Sequence, residues 1–160
     1  MKKLIAILTI AIVLVGAVFA DAPANGDTAS LNITCTIVEV QPTLTLLGAT
    51  ASDGTFANAD VAFGPLAANA TSIKAYFKVS YTAYRWNKVV SVGASATNLT
   101  SADTDTVATP TVSTITTPSK SFKGAAGAAG EFASFDVSYT TTNLSSGSYT
   151  ATVTITYTVE

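Results

Sequence analysis

The chain has 160 residues, of which 8 are Lys or Arg, 10 are Asp or Glu and none is His, for a formal net charge of −2. Charged residues make up 11% of it, less than half of the about 25% usual in globular domains. The acidic pI, near 4.9, excludes nucleic acid as a partner, because phosphate neutralisation needs clustered Lys and Arg. Lack of His removes Ser-His-Asp and Cys-His nucleophiles, imidazole metal sites and near-neutral imidazole bases. No cofactor is implied and no enzymatic activity is expected.

Residues 1–20 have the layout of a secretory signal helix. Lys2 and Lys3 are its positive end, Leu4–Val15 its apolar core, and Val18-Phe19-Ala20 presents small residues at the positions read by a signal peptidase. The rival reading is a retained anchor, since the apolar run Leu4–Ala20 is 17 residues, at the lower limit of a spanning helix. Gly16 and the polar stretch from Asp21 favour cleavage before Asp21, with no membrane contact afterwards. Removing Lys2 and Lys3 leaves 6 basic against 10 acidic residues, a net charge of −4. The expected location is exported: periplasm, cell surface or extracellular medium. The expected organisation is a leader at 1–20, a flexible segment at 21–30 and one domain over 31–160.

From residue 31 the hydrophobic period is two. Leu31, Ile33, Cys35 and Ile37 alternate with Asn32, Thr34 and Thr36, as in a strand with one buried face. Leu44 and Leu46 mark a second strand, and Val61 and Phe63 a third within Asn58–Pro65. Over Ser72–Tyr84, Ile73, Ala75, Phe77, Val79, Tyr81 and Ala83 share one face; Arg85–Lys88 reads as a hairpin turn into Val89, Val90 and Val92. Thr106–Thr117 holds Pro110 and is followed by Pro118, which restricts it to an edge or irregular position. Lys123–Gly130 is a Gly/Ala loop. Phe135, Val137 and Tyr139 alternate again, a turn occupies Asn143–Gly147, and Tyr149–Val159 alternates strictly with Thr. At about 3.3 Å per residue that last run spans about 36 Å, long enough to bend or to serve two sheets. No sustained 3.6 period follows the leader. The predicted fold is all-β: a two-sheet antiparallel β-sandwich of about eight strands, immunoglobulin-like or jelly-roll-like.

Cys35 has no partner in the chain; its place in the alternation predicts a small buried hydrophobe, with a thiol bridging two subunits as the alternative. Asp103 and Asp105, with Asp53 and Asp60 as helpers, are too few for a calcium site of about six to eight ligands, so a turn-capping role is expected. The ten acidic residues include no pair that the sequence brings together for glycoside hydrolysis. Four Asn-X-Ser/Thr triplets, at Asn32, Asn69, Asn98 and Asn143, arise easily in so Thr-rich a chain. The most distinctive surface is Tyr76, Tyr84, Arg85 and Trp86, with Lys74 and Lys78 on the same predicted face. Flat aromatics of this kind stack on sugar rings or anchor a protein partner. Tyrosines and lysines are equally ordinary on a strand face, where lysines discourage edge pairing.

Three segments carry a family resemblance: the alternating Leu31–Val40, Val61-Ala-Phe-Gly-Pro-Leu66, and Ser146-Gly-Ser-Tyr-Thr-Ala-Thr-Val-Thr-Ile-Thr-Tyr157. With the leader, they resemble secreted bacterial β-sandwich proteins of the spore coat protein U and fimbrial-subunit type. The resemblance implies a small extracellular structural subunit, often assembled by lending a strand to a neighbour, and the expected partner is a second copy of the chain or another extracellular protein. Those families commonly carry paired cysteines, whereas Cys35 stands alone. The alternative function is an extracellular carbohydrate- or protein-binding module using Tyr76, Tyr84 and Trp86.

Overall fold

The computed structural model describes residues 32–67, 69–124 and 126–160. The predicted signal helix and the segment 21–30 lie outside the described residues. Among the described residues seven strands follow one another: β1 (Leu44–Ala49), β2 (Ser72–Tyr81), β3 (Val89–Ala96), β4 (Pro110–Val112), β5 (Ser119–Ser121), β6 (Gly130–Thr140) and β7 (Val153–Val159). They form two antiparallel sheets, one of four strands in the order β1-β2-β6-β4 and one of three in the order β5-β3-β7. Among the described residues there is no helix, and so none long and apolar enough to cross a membrane.

The alternation in β2 and β6 does what a period of two requires. Ile73↔Tyr139, Ala75↔Val137 and Phe77↔Phe135 are directly opposed pairs on one face, while Tyr76↔Asp136 and Lys78↔Ser134 occupy the other. The inward side chains meet those of the second sheet, giving a sandwich-like core in two parts. In the first, Ala75, Phe77, Phe135, Val137 and Tyr139 pack with Ala94, Ala96, Val153 and Ile155. Phe77 and Phe135 stack there at 5.2 Å between ring centroids. In the second, Val79, Phe132 and Ala133 pack with Val90, Val92 and Phe122. A register shift at Val79/Ser80 leaves Phe132 as an extra residue on β6, so that consecutive Phe132 and Ala133 are both buried. Phe122, wholly buried, receives the rings of Tyr84, Tyr81 and Phe132 edge-on at 4.7, 5.5 and 6.1 Å. Edge-to-face pairs of this kind are worth about 0.5–1.5 kcal/mol each beyond their buried area.

Several sequence expectations are corrected. Asn32–Glu39 joins no strand and its side chains are exposed, including Cys35 and Ile33, which is 96% exposed. The alternation there is real in the sequence, but Ile33 and Ile37 are 96% and 63% exposed. The Asn58–Pro65 segment is not a strand; Val61 and Phe63 pack on the first core from irregular backbone. Arg85–Lys88 does not close a hairpin, because β2 and β3 belong to different sheets. Pro110–Val112 does lie at a sheet edge, as β4. Tyr149–Val159 divides: Thr150 bridges Thr100, and only Val153–Val159 pairs with β3. The Tyr149 hydroxyl donates to Ser145 O (3.0 Å) and meets the Thr104 and Thr106 hydroxyls at 2.9 and 2.6 Å, tying the turn at 143–147 to the loop after Leu99.

Candidate functional site

The residues singled out from the sequence fall in three places. Tyr76 lies on the outer face of the four-stranded sheet, opposite Asp136 and between Lys74 and Lys78. Tyr84 turns inward onto Phe122, and its backbone pairs with Gly127. Arg85 exchanges two backbone hydrogen bonds with Val40, of 2.6 and 2.8 Å, where the chain enters the sheets. Trp86 lines the opening beside that entry. The structure therefore brings Arg85 and Trp86 together at one end and separates them from Tyr76.

That opening is a cleft of about 400 Å³. Its walls are Pro42 and Leu44 at the start of β1, Trp86 and Val90, and Tyr157 and Val159 of β7. Both β1 and β7 are edge strands of their sheets, so the cleft lies where the two sheets part. Burial along β7 records the same geometry. Val153 and Ile155 are half-buried against the first core, whereas Tyr157 and Val159 are 37% and 49% exposed, although their β3 neighbours Val92 and Val90 are buried. Among the described residues no further strand pairs along the outer side of β7, where Tyr157 and Val159 are partly exposed, and an edge of that kind can accept an added strand. Partial desolvation still raises the Tyr157 phenol above its ordinary 10.0.

The described segment 32–38 offers the complementary pattern. Ile33 and Ile37 are exposed with Cys35 between them, at the two-residue spacing of one strand face, and Thr34 and Thr36 form the other. The remaining sequence candidates form no site. Asp103 and Asp105 are exposed, and the turn there is held by the Ser101 hydroxyl accepting from Asp103 N (3.1 Å), not by a carboxylate. Among the described residues, no three Cys, Asp or Glu side chains gather to hold a metal ion. Asn32, Asn69, Asn98 and Asn143 are all exposed. Sequence reasoning missed Phe56, whose loop has no periodicity; its ring lies 4.6 Å from Lys78 Nζ on the outer sheet face. Against family models, curated proteins and solved structures, the chain finds no match.

Proposed function

We propose that the chain is an exported, non-enzymatic structural subunit with an immunoglobulin-like or jelly-roll-like sandwich, and that it associates with copies of itself. The segment Asn32–Val38 of one copy adds as an antiparallel strand along the β7 edge of the next, with Ile33, Cys35 and Ile37 on the same face as Val159, Tyr157 and Ile155. One observation carries this reading: a strand-patterned segment with an uncovered apolar side occurs in the same chain as a sheet edge with uncovered apolar side chains. Pairing satisfies the backbone of both partners and buries the apolar side chains together. The resemblance to spore coat protein U and fimbrial subunits carries the same expectation.

The test is the size of the mature protein, Asp21–Glu160, by light scattering and negative-stain microscopy. Chains should associate into regular assemblies, and chains lacking 21–38 should remain folded monomers. Monomers of the mature protein at every concentration would overturn the proposal.

A further inference from the structure

The outer face of the four-stranded sheet holds a second concavity, of about 480 Å³, within the about 300–1,000 Å³ range of small-molecule sites. Its floor is β2 and β6, where Tyr76 faces Asp136 and Lys78 faces Ser134. One wall is the loop after β1. Two backbone bonds between Gly48 and Ala57, of 2.9 and 3.1 Å, hold that loop beside the sheet and bring Phe56 and Ser52 to the rim. The other wall is Ser113–Thr116, fastened along β6 by Ser113 N to Asp136 O (2.9 Å), Asp136 N to Ser113 Oγ (2.8 Å) and Thr116 N to Ser134 O (2.9 Å). Both walls are thus fixed by backbone pairing.

The chemistry of this trough is narrow. Its charges are matched within the sheet: Lys74 Nζ lies 3.3 Å from Asp136 Oδ1 and Lys78 Nζ 3.1 Å from Glu131 Oε2. Such a balance offers no field for a phosphate or another anion. Phe77 and Phe135 also line it, but both are buried in the first core, and the exposed large apolar side chains of the described residues, such as Ile33, Val107 and Val159, lie elsewhere, so little apolar surface is offered to a lipid or an apolar peptide. It does combine two aromatic rings, Tyr76 and Phe56, with hydroxyls on both walls and a carboxylate and an ammonium within reach. Aromatic faces take the C–H face of a pyranose, while hydroxyls and charged groups take its ring hydroxyls.

We propose that this trough binds a neutral hexose oligosaccharide, with Tyr76 and Phe56 stacking on the sugar rings and Lys78 and Asp136 bonding their hydroxyls. The site differs from the aromatic set picked out by sequence: it keeps Tyr76, replaces Tyr84 and Trp86 with Phe56, and lies away from the cleft at β7. It holds whether or not the chain assembles.

The test is calorimetric titration of the mature full chain with three neutral glucose oligomers, cellohexaose, laminarihexaose and maltohexaose. At least one should bind with a Kd of about 1 mM or tighter. Tyr76→Ala should weaken that binding at least about tenfold, equivalent to about 1.4 kcal/mol. Phe56→Ala, in a loop, should weaken it too and decides the matter if Tyr76→Ala fails to fold. Trp86→Ala should leave it unchanged. No binding by any of the three sugars, or binding insensitive to the Tyr76 and Phe56 variants, would overturn the proposal.

Discussion

Gly127 lies directly against the ring of Tyr84. The two residues exchange backbone hydrogen bonds, Gly127 N to Tyr84 O at 3.0 Å and Tyr84 N to Gly127 O at 3.2 Å, and a Cβ built on Gly127 would overlap the Tyr84 Cε1 and Cζ atoms. Only a residue without a side chain lets the loop between β5 and β6 close over this ring. Tyr84 in turn packs edge-on against Phe122 at the centre of the second core. The Gly/Ala composition of the loop, which from sequence suggested only an absence of packing, here permits a close approach.

Gly127→Ala should therefore drive the Tyr84 ring off Phe122 and destabilise the protein by about 1–3 kcal/mol, the usual cost of overpacking. Urea unfolding should show a lower midpoint with an unchanged slope. Gly93→Ala supplies the contrast: nothing lies within 4 Å of a Cβ at Gly93, so that variant should match or exceed the parent. Equal midpoints for Gly127→Ala and the parent would show that the loop does not depend on this contact.

What the sequence revealed and what it hid follow from what alternation reports. Ile73–Tyr81 and Phe135–Tyr139 were legible as strands because a period of two records a shared face, and both faces are covered. Leu31–Val40 has the same period, yet Ile33 and Ile37 are exposed, because the pattern says which side chains point together and not what meets them. Parity failed at Tyr84 for a related reason. It continues the outer-face series of Tyr76 and Lys78, but β2 ends at Tyr81, and beyond that point the backbone turns the ring inward. Phe56 and Phe122 sit outside regular strands, where no period exists to read. The Arg85–Lys88 turn misled because a short connection serves a hairpin and a crossing between sheets about 10 Å apart alike.

Tyr139 links alkaline pH to stability. It is buried in the first core and its hydroxyl donates to Thr97 O at 2.9 Å; desolvation raises its pKa above 10.0. The folded chain thus holds this proton more tightly than the unfolded chain does. Its contribution is whole below about pH 10 and is lost as the pH rises through the folded-state value. Tyr157, raised by the same cause, acts with the same sign. Unfolding midpoints measured between neutral and strongly alkaline pH should fall through this window. Tyr139→Phe should start about 0.5–1.5 kcal/mol lower at neutral pH, from the lost hydrogen bond, and fall less steeply. A Tyr139→Phe profile parallel to the parent's would assign the alkaline loss elsewhere.

The proposed strand addition makes a demand that simple stickiness does not, because it separates assembly from folding. Ile33 and Ile37 are 96% and 63% exposed and belong to neither buried core, so Ile33→Ser with Ile37→Ser leaves both cores intact. The folded monomer should keep its unfolding free energy in urea within about 0.5 kcal/mol, the range of ordinary surface substitutions. The same double variant should abolish the assemblies formed by the parent, and an added peptide spanning Leu31–Val40 should block parent assembly by occupying the β7 edge. Cys35 lies between the two isoleucines and reports on the same event: its thiol should react rapidly with a water-soluble disulfide reagent in monomers and slowly once its strand is paired. Assemblies that persist in the double variant with an accessible thiol would locate the contact elsewhere on the subunit and leave the uncovered Tyr157 and Val159 without a partner.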